Sequence, residues 1–504
     1  MERIKKLSDE LVAMQQQASR LSWTQYTTGY DFGIAEMYNK INEKIMNKDD
    51  FEYIKMMHER EDLSFEDKRR CEIMYKMYEP SHLSPEINAM DEKMHALTTK
   101  LSQVLNTFRN TIDGVEVSSV DISEILRDNP DEAKRKEAFL ARTQINEALV
   151  DAGFIDLIKM RKEYAKLRGY DNYVEMKLAD QGLNTDMFKT WKDELHEMLP
   201  AMKAKKAEVA KKYLDKDEIK PWDTAYLVSK MAPSLNKTVD MTDFFNVLRN
   251  FYLKFGIDIS ECNITYDIFP RANKSQWGYN FPIATRKDTR ILANVKNNYS
   301  EYRTLLHETG HGIHSYWQDP EEEILNSGIS GIITEGLANL FGSFLYDDMF
   351  MNDFFGDDKQ VREELKLYQD YAKVNSLNAI VDIMFDQKLY TTEINTLEDI
   401  NKLAFDTYKE YLDEDPYAEQ FPWGFRIHHT THPIYLHNYF MGDVTCEMLK
   451  KKFVEKYNCE KVSDKPKEFV EFIKKEIVEP SGLYKYPELF KRISGEEFSL
   501  KYMK

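Results

Sequence analysis

Cysteine is scarce in this 504-residue chain: Cys71, Cys262, Cys446 and Cys459 stand far apart, with no C-x-x-C pair. Nothing in that spacing resembles a disulfide framework, and we expect four reduced thiols in a cytoplasmic protein. Glycine and proline are also sparse, at 19 and 15, which disfavours strand-and-turn architecture and favours long helices. No run of 18 apolar residues occurs, so no segment reads as a membrane span. At the N-terminus, Arg3, Lys5 and Lys6 lead into Leu7-Ser8-Asp9-Glu10, where a signal peptide needs an unbroken apolar stretch. A basic excess is missing as well. The net charge of −18 argues against nucleic acid as a partner, because phosphate binding needs a basic surface, and it favours a well-dispersed soluble protein.

What the chain does have is apolar and helical. Hydrophobic residues make up 42%, enough for a large core. Apolar residues recur at helical spacing over residues 11–21, 32–45, 87–108 and 132–167, with charge on the opposite face. Asn129-Pro130-Asp131-Glu132 reads as a capped helix start. No repeat or low-complexity linker marks a domain boundary. The one β region expected lies at residues 263–269, 276–283 and 290–295. Gly278 in the second of these strands indicates either close approach of another backbone, such as a peptide adding to the sheet edge, or a β-bulge.

Leu306-His307-Glu308-Thr309-Gly310-His311 contains an H-E-x-x-H motif. Four residues are about one helical turn, so both imidazoles project from one face and can share a metal ion. Glu308 adjoins the first histidine and can reach a metal-bound water. A surface helix with two histidines and a glutamate is the plain alternative. Against it, Tyr302, Leu305, Leu306, Thr309, Ile313 and Tyr316 recur at three- and four-residue spacing, so this helix is expected to be buried. Gly310 inside it costs about 1 kcal/mol against alanine, which points to close packing by a neighbour. A second helix is expected from near Ile332 to Phe341. Its Glu335 is a carboxylate among apolar residues and needs a partner. It follows His311 by 24 residues, room for a turn and an antiparallel return. Two histidines and a glutamate leave a fourth zinc position open, the pattern of a catalytic site.

Four of the 11 histidines crowd into residues 428–437, as His428, His429, His432 and His437. Two of them with Asp443 fit no trusted metal signature, and Pro433 interrupts helical geometry between His429 and His437. A surface histidine patch is one reading. The other is oxyanion stabilisation beside a zinc site, for which His429 and the Tyr439 hydroxyl are suitable donors. His428 and His432 both stand close enough in sequence to assist.

With these motifs in hand, the chain resembles the gluzincin metallopeptidases of mainly α, two-lobed fold with a deep central cleft and a small β-sheet beside the zinc helix. It is similar both to the thimet oligopeptidase/oligoendopeptidase F family and to the angiotensin-converting-enzyme family of peptidyl-dipeptidases. The resemblance rests on residues 305–314, on Thr334-Glu335-Gly336, and on Ile427-His428-His429 leading through Pro433 and Tyr435 to Tyr439 and Gly442. It implies one Zn2+ per chain held by His307, His311 and Glu335, with Glu308 as general base and His429 and Tyr439 as transition-state donors. It also implies that Tyr435 contacts substrate and that Trp277-Gly278-Tyr279 is an edge strand binding peptide backbone. Three places depart from the converting-enzyme pattern. Ile427, beside Arg426, replaces a lysine that holds the substrate C-terminus; Trp277 replaces an edge-strand histidine; and Asn339 replaces an aspartate that supports the metal site.

The resemblance implies one catalytic domain over residues 1–504, with a helical part at about 1–250, a zinc core at about 260–445 and C-terminal helices at about 446–504. The implied activity is hydrolysis of short unfolded peptides, with Glu308 shuttling the proton of a zinc-activated water. The departures favour a general oligopeptidase. The alternatives are a peptidyl-dipeptidase or carboxypeptidase acting at a free C-terminus and, from another class, an inactive peptide-binding protein. No nucleic acid or membrane partner is expected, and the oligomeric state is open.

Overall fold

The computed structural model describes residues 1–275 and 278–504; Gln276 and Trp277, in the second expected strand, lie outside the described residues. Among the described residues the protein is 70% helical with two small sheets, which bears out the mainly α class. The chain divides into two compact units. The first comprises Met1–Leu83, Leu235–Asp358 and Met441–Phe498; the second comprises Ser84–Ser234, Lys359–Phe440 and Ser499–Lys504.

In the first unit, the apolar pattern at 11–21 is the middle of a longer helix, Glu2–Thr28. Gly29 ends it at φ 79°, donating its N–H to the Gln25 carbonyl at 2.8 Å, the left-handed close that glycine permits. Ile4, Leu7 and Leu11 of this helix share a core with Ile54, Met74, Tyr78, Ile324 and Leu325. Further along, Trp23 packs on Ile283 and Leu292, so the helix also covers the sheet.

That sheet has three strands. Asp288–Leu292 is central, Ile264–Asp267 runs parallel to it, and Tyr279–Ala284 runs antiparallel at the other edge. The third strand begins two residues before the expected 290 and stops at Leu292. Residues 293–295 read as strand because their backbone still pairs: Ala293 donates to Asp267 and Val295 to Ile268, at 3.0 and 2.9 Å. The register shift of the edge strand falls between Pro282 and Ala284, not at Gly278.

In the second unit, one sequence expectation fails. Residues 132–167 form separate helices, Glu132–Ala141, Ile145–Asp151 and Phe154–Leu167, with a 3-10 turn at Arg142–Gln144. Gly153 sits at φ 106°, a left-handed residue that breaks the chain direction while the apolar periodicity continues across it. The cap does hold, since Asp131 accepts from the Ala133 N–H at 2.9 Å. A hairpin absent from the sequence reading pairs Asn110–Ile112 with Val115–Val117. Asp113 and Gly114, at φ 51° and 78°, make its turn. An Asp-Gly step between alternating apolar residues is the usual signal for such a hairpin.

Candidate metal centre

His307, Glu308 and His311 lie on the helix Tyr302–Trp317, and Glu335 lies on Gly331–Ser343, both in the first unit. Close packing of the two helices follows from glycine. A Cβ added at Gly310 would stand 2.7 Å from Cδ2 of Phe341, and one at Gly342 would stand 3.4 Å from Cβ of His307. On the opposite side, a Cβ at Gly312 would strike Ile264 of the sheet at 2.7 Å. Tyr252 donates its hydroxyl to the Leu306 carbonyl at 3.0 Å, and Tyr266 bonds Thr309 at 3.0 Å, which fixes the rotation of the helix. The helix is therefore buried as its periodicity predicts.

This packing brings Nε2 of His307 and Nε2 of His311 each to 3.6 Å from an oxygen of Glu335. The ligand atoms of the three residues all lie within 4.8 Å of one another. A tetrahedral ion with bonds of about 2.1 Å keeps its ligand atoms roughly 3.4 Å apart. The donor set thus fits a divalent ion of that size. Burial holds both imidazoles neutral, at about 3 for His307 and about 4 for His311. Burial, and then the charge of Glu335, lifts Glu308 to about 7. Burial also raises Glu335, with Asp443 adding like charge.

Asn339 interacts on both sides. Its amide N–H donates to Oδ1 of Asp443 at 3.0 Å, and its side chain raises the His307 pKa slightly against the effect of burial. Supporting partners of this kind orient a metal-binding imidazole. The carboxylate missing at position 339 is supplied one bond further away by Asp443, a residue that the sequence reading set aside. Gly442 brings Asp443 there, since a Cβ on it would lie 3.2 Å from Cβ of Glu335.

Gly278 precedes the edge strand, and a Cβ there would make ordinary contact with the Leu292 carbonyl oxygen at 3.5 Å and with Oε1 of Glu308 at 3.9 Å. Tyr279 belongs to the edge strand, with its ring edge-on to Tyr26 at 5.1 Å. Asn280 donates to the main-chain oxygen of Glu308 at 3.5 Å.

In the second unit, the histidine cluster separates residue by residue. His428 contacts the rings of Tyr435 and Tyr439 at 6.4 and 5.7 Å, and both tyrosines are exposed. His429 is 0% exposed. Its ring stands edge-on to Phe385 at 5.1 Å, and its Nε2 lies 3.8 Å from Asp382. His437 is buried on Gln181 at 2.9 Å, and His432 is exposed beside Thr431. The turn between them carries Ile434 at φ 56°. A β-branched residue pays about 1–3 kcal/mol for that conformation. It is held there by the Asp386 carboxylate, which accepts its N–H at 2.6 Å, and by Gln181, which donates to its carbonyl at 2.9 Å.

Residues 125–262 and 260–497 match peptidase family M3. The chain belongs to peptidase family M3. Family M3 is a metallopeptidase family, and the His–His–Glu group agrees with it. Oligopeptidase PepF of Bacillus subtilis (strain 168) is 21% identical over 422 residues, covering 75% of this chain and 61% of that protein. The chain therefore spans less than two thirds of that relative's length. PZ peptidase A, solved with an inhibitor, superposes with a TM-score of 0.70 at 16% identity, covering 100% of this chain and 94% of that one. An M32 carboxypeptidase from Deinococcus radiodurans R1 gives 0.67 at 13% identity, with 100% and 97% covered. At these identities the structural likeness shows the fold alone. The expected resemblance to the oligoendopeptidase F group is borne out by the family match.

Proposed function

We propose that the protein is a zinc-dependent oligopeptidase of one catalytic domain, acting on short unfolded peptides in the cytoplasm. The observation that carries this reading is the His307–His311–Glu335 donor triangle with Glu308 beside it. Family membership, free cysteines and the PepF relative support it. When bound, zinc supplies a Lewis acid that polarises the scissile carbonyl and lowers the pKa of water. Glu308 accepts the proton of the attacking water and delivers it to the leaving amine. Asn339 and Asp443 keep His307 oriented. Gly278 and Tyr279 offer edge-strand backbone to the peptide, the addition that exposed sheet edges favour.

His429 and Tyr439 are proposed as donors to the developing oxyanion, and Tyr435 as a substrate contact. These three enter on the family resemblance. Because His429 is enclosed and His428 touches both tyrosines, the two histidines need separate tests. A kcat loss on His428→Ala as large as that on His429→Ala would move the donor role to His428.

The deciding experiment maps, by mass spectrometry, the products of one ten-residue peptide with a free and with an amidated C-terminus. Glu308→Gln with full zinc occupancy is the control. Internal cuts on both forms, absent in the control, are expected. Release of residues from the free acid alone would replace this reading by a carboxypeptidase or peptidyl-dipeptidase. Wild-type turnover by Glu308→Gln would remove the mechanism.

A further inference from the structure

The second unit contains a cavity of about 780 Å3 that the metal chemistry leaves unexplained, and every residue lining it belongs to that unit. Its size suits a small molecule. Phe139, Tyr408, Phe421 and Trp423 give it aromatic walls. Among the described residues, three lining cations form no ion pair: Arg142, Lys206 and the exposed Lys203, which donates to the Asp413 carbonyl at 3.1 Å. The Arg142 guanidinium lies over the Phe425 ring at 4.9 Å, and no acid pairs with it among the described residues. Burial and the like charge of Arg426 push its pKa down. Lys206 donates to the neutral side-chain oxygen of Asn378 at 3.0 Å. Burial lowers its pKa too, and the charge of Glu414 offsets that only in part.

Most acids of the lining are already engaged. Asp382 pairs with Arg426 at 3.3 Å, Glu218 with Lys220 at 2.8 Å, and Asp415 with Lys409 at 2.9 Å. Glu414 accepts the Tyr408 hydroxyl at 2.9 Å, and Asp217 is exposed. A cation withdrawn from water is costly until an anion joins it, and an aromatic wall favours a ligand with an apolar body.

We propose that this cavity binds a small organic carboxylate with an aromatic or branched apolar body, its charge satisfied by Arg142 and Lys206. The ligand then lies one side chain from His429, because Asp382 and Phe385 line the cavity and also contact that histidine. The proposal does not rest on peptidase activity, and its readout is binding. Two sources share this chemistry: the free C-terminus of a peptide, and a carboxylate without peptide groups.

Calorimetric titration of the full chain uses N-acetylphenylalanine, its C-terminal amide, N-acetylglycylphenylalanine and 3-phenylpropionate. The free acid is expected to bind at least about tenfold more tightly than the amide, as a charge-assisted hydrogen bond implies. Arg142→Gln and Lys206→Gln should each weaken the acid by a similar factor, while Glu335→Gln leaves it unchanged, which separates the cavity from the metal centre. Lys206→Gln carries the test if Arg142→Gln does not fold. Tighter binding of the dipeptide acid assigns the peptide source, and tighter binding of 3-phenylpropionate assigns the other. Equal affinity for acid and amide, indifference to both cavity substitutions, or loss on Glu335→Gln would each overturn the proposal.

Discussion

Replacing Asn339 by alanine should weaken metal binding without touching a ligand. The substitution deletes the 3.0 Å hydrogen bond to Asp443 and the side-chain interaction with His307. Removing a partner that orients a ligand lowers metal affinity by about 10–100-fold, or about 1.4–2.7 kcal/mol. Zinc is titrated into metal-free protein against a chelating dye, beside a thermal melt of the metal-free form. Asn339→Asp keeps an acceptor for His307 and adds a charge that attracts the ion, so it should recover most of the affinity. It should also lower the metal-free melting point, because two carboxylates then adjoin. Wild-type zinc affinity in Asn339→Ala would refute the orienting role.

Three further outcomes are expected. Gly310→Ala drives a Cβ to 2.7 Å from Phe341; overpacking of about 1–3 kcal/mol exceeds the helix-propensity gain of about 1 kcal/mol, so urea denaturation should show a net loss. Burial pushes His437 down to about 3, whereas the unfolded chain takes that proton near 6.5. Its contribution is therefore complete above pH 6.5 and is lost as pH falls toward 3, by up to about 1.4 kcal/mol per pH unit. His437→Gln should flatten that part of the urea-midpoint curve, and an unchanged slope would count against it. Finally, Cys71, Cys262 and Cys446 are buried and Cys459 is partly exposed. A thiol reagent should thus label one site in the native protein and the other three on unfolding.

The His307–His311–Glu335 group was legible because a four-residue spacing on a helix and a carboxylate in an apolar helix are local signals. Asp443 was not, since its bond to Asn339 joins residues 104 apart through a glycine contact that no sequence window contains. Apolar periodicity persists across Gly153 and hides the break there, whereas Asp113-Gly114 is a local hairpin signal. His428 and His429 are neighbours in sequence, roughly 100° apart around a helix axis. Which one turns inward depends on Phe385 and Asp382, which arrive from another helix.

The interleaving of the two units sets a timetable for synthesis. The core built on Ile4, Leu7 and Leu11 is completed by Ile324 and Leu325, which leave the ribosome roughly 15–60 s later at about 5–20 residues per second. Throughout that interval the amino-terminal helices have only one another to shelter their apolar faces, while the whole of Ser84–Ser234 emerges between them and their remaining partners. Native closure of the first unit, whose last segment is Met441–Phe498, is thus a late event in translation.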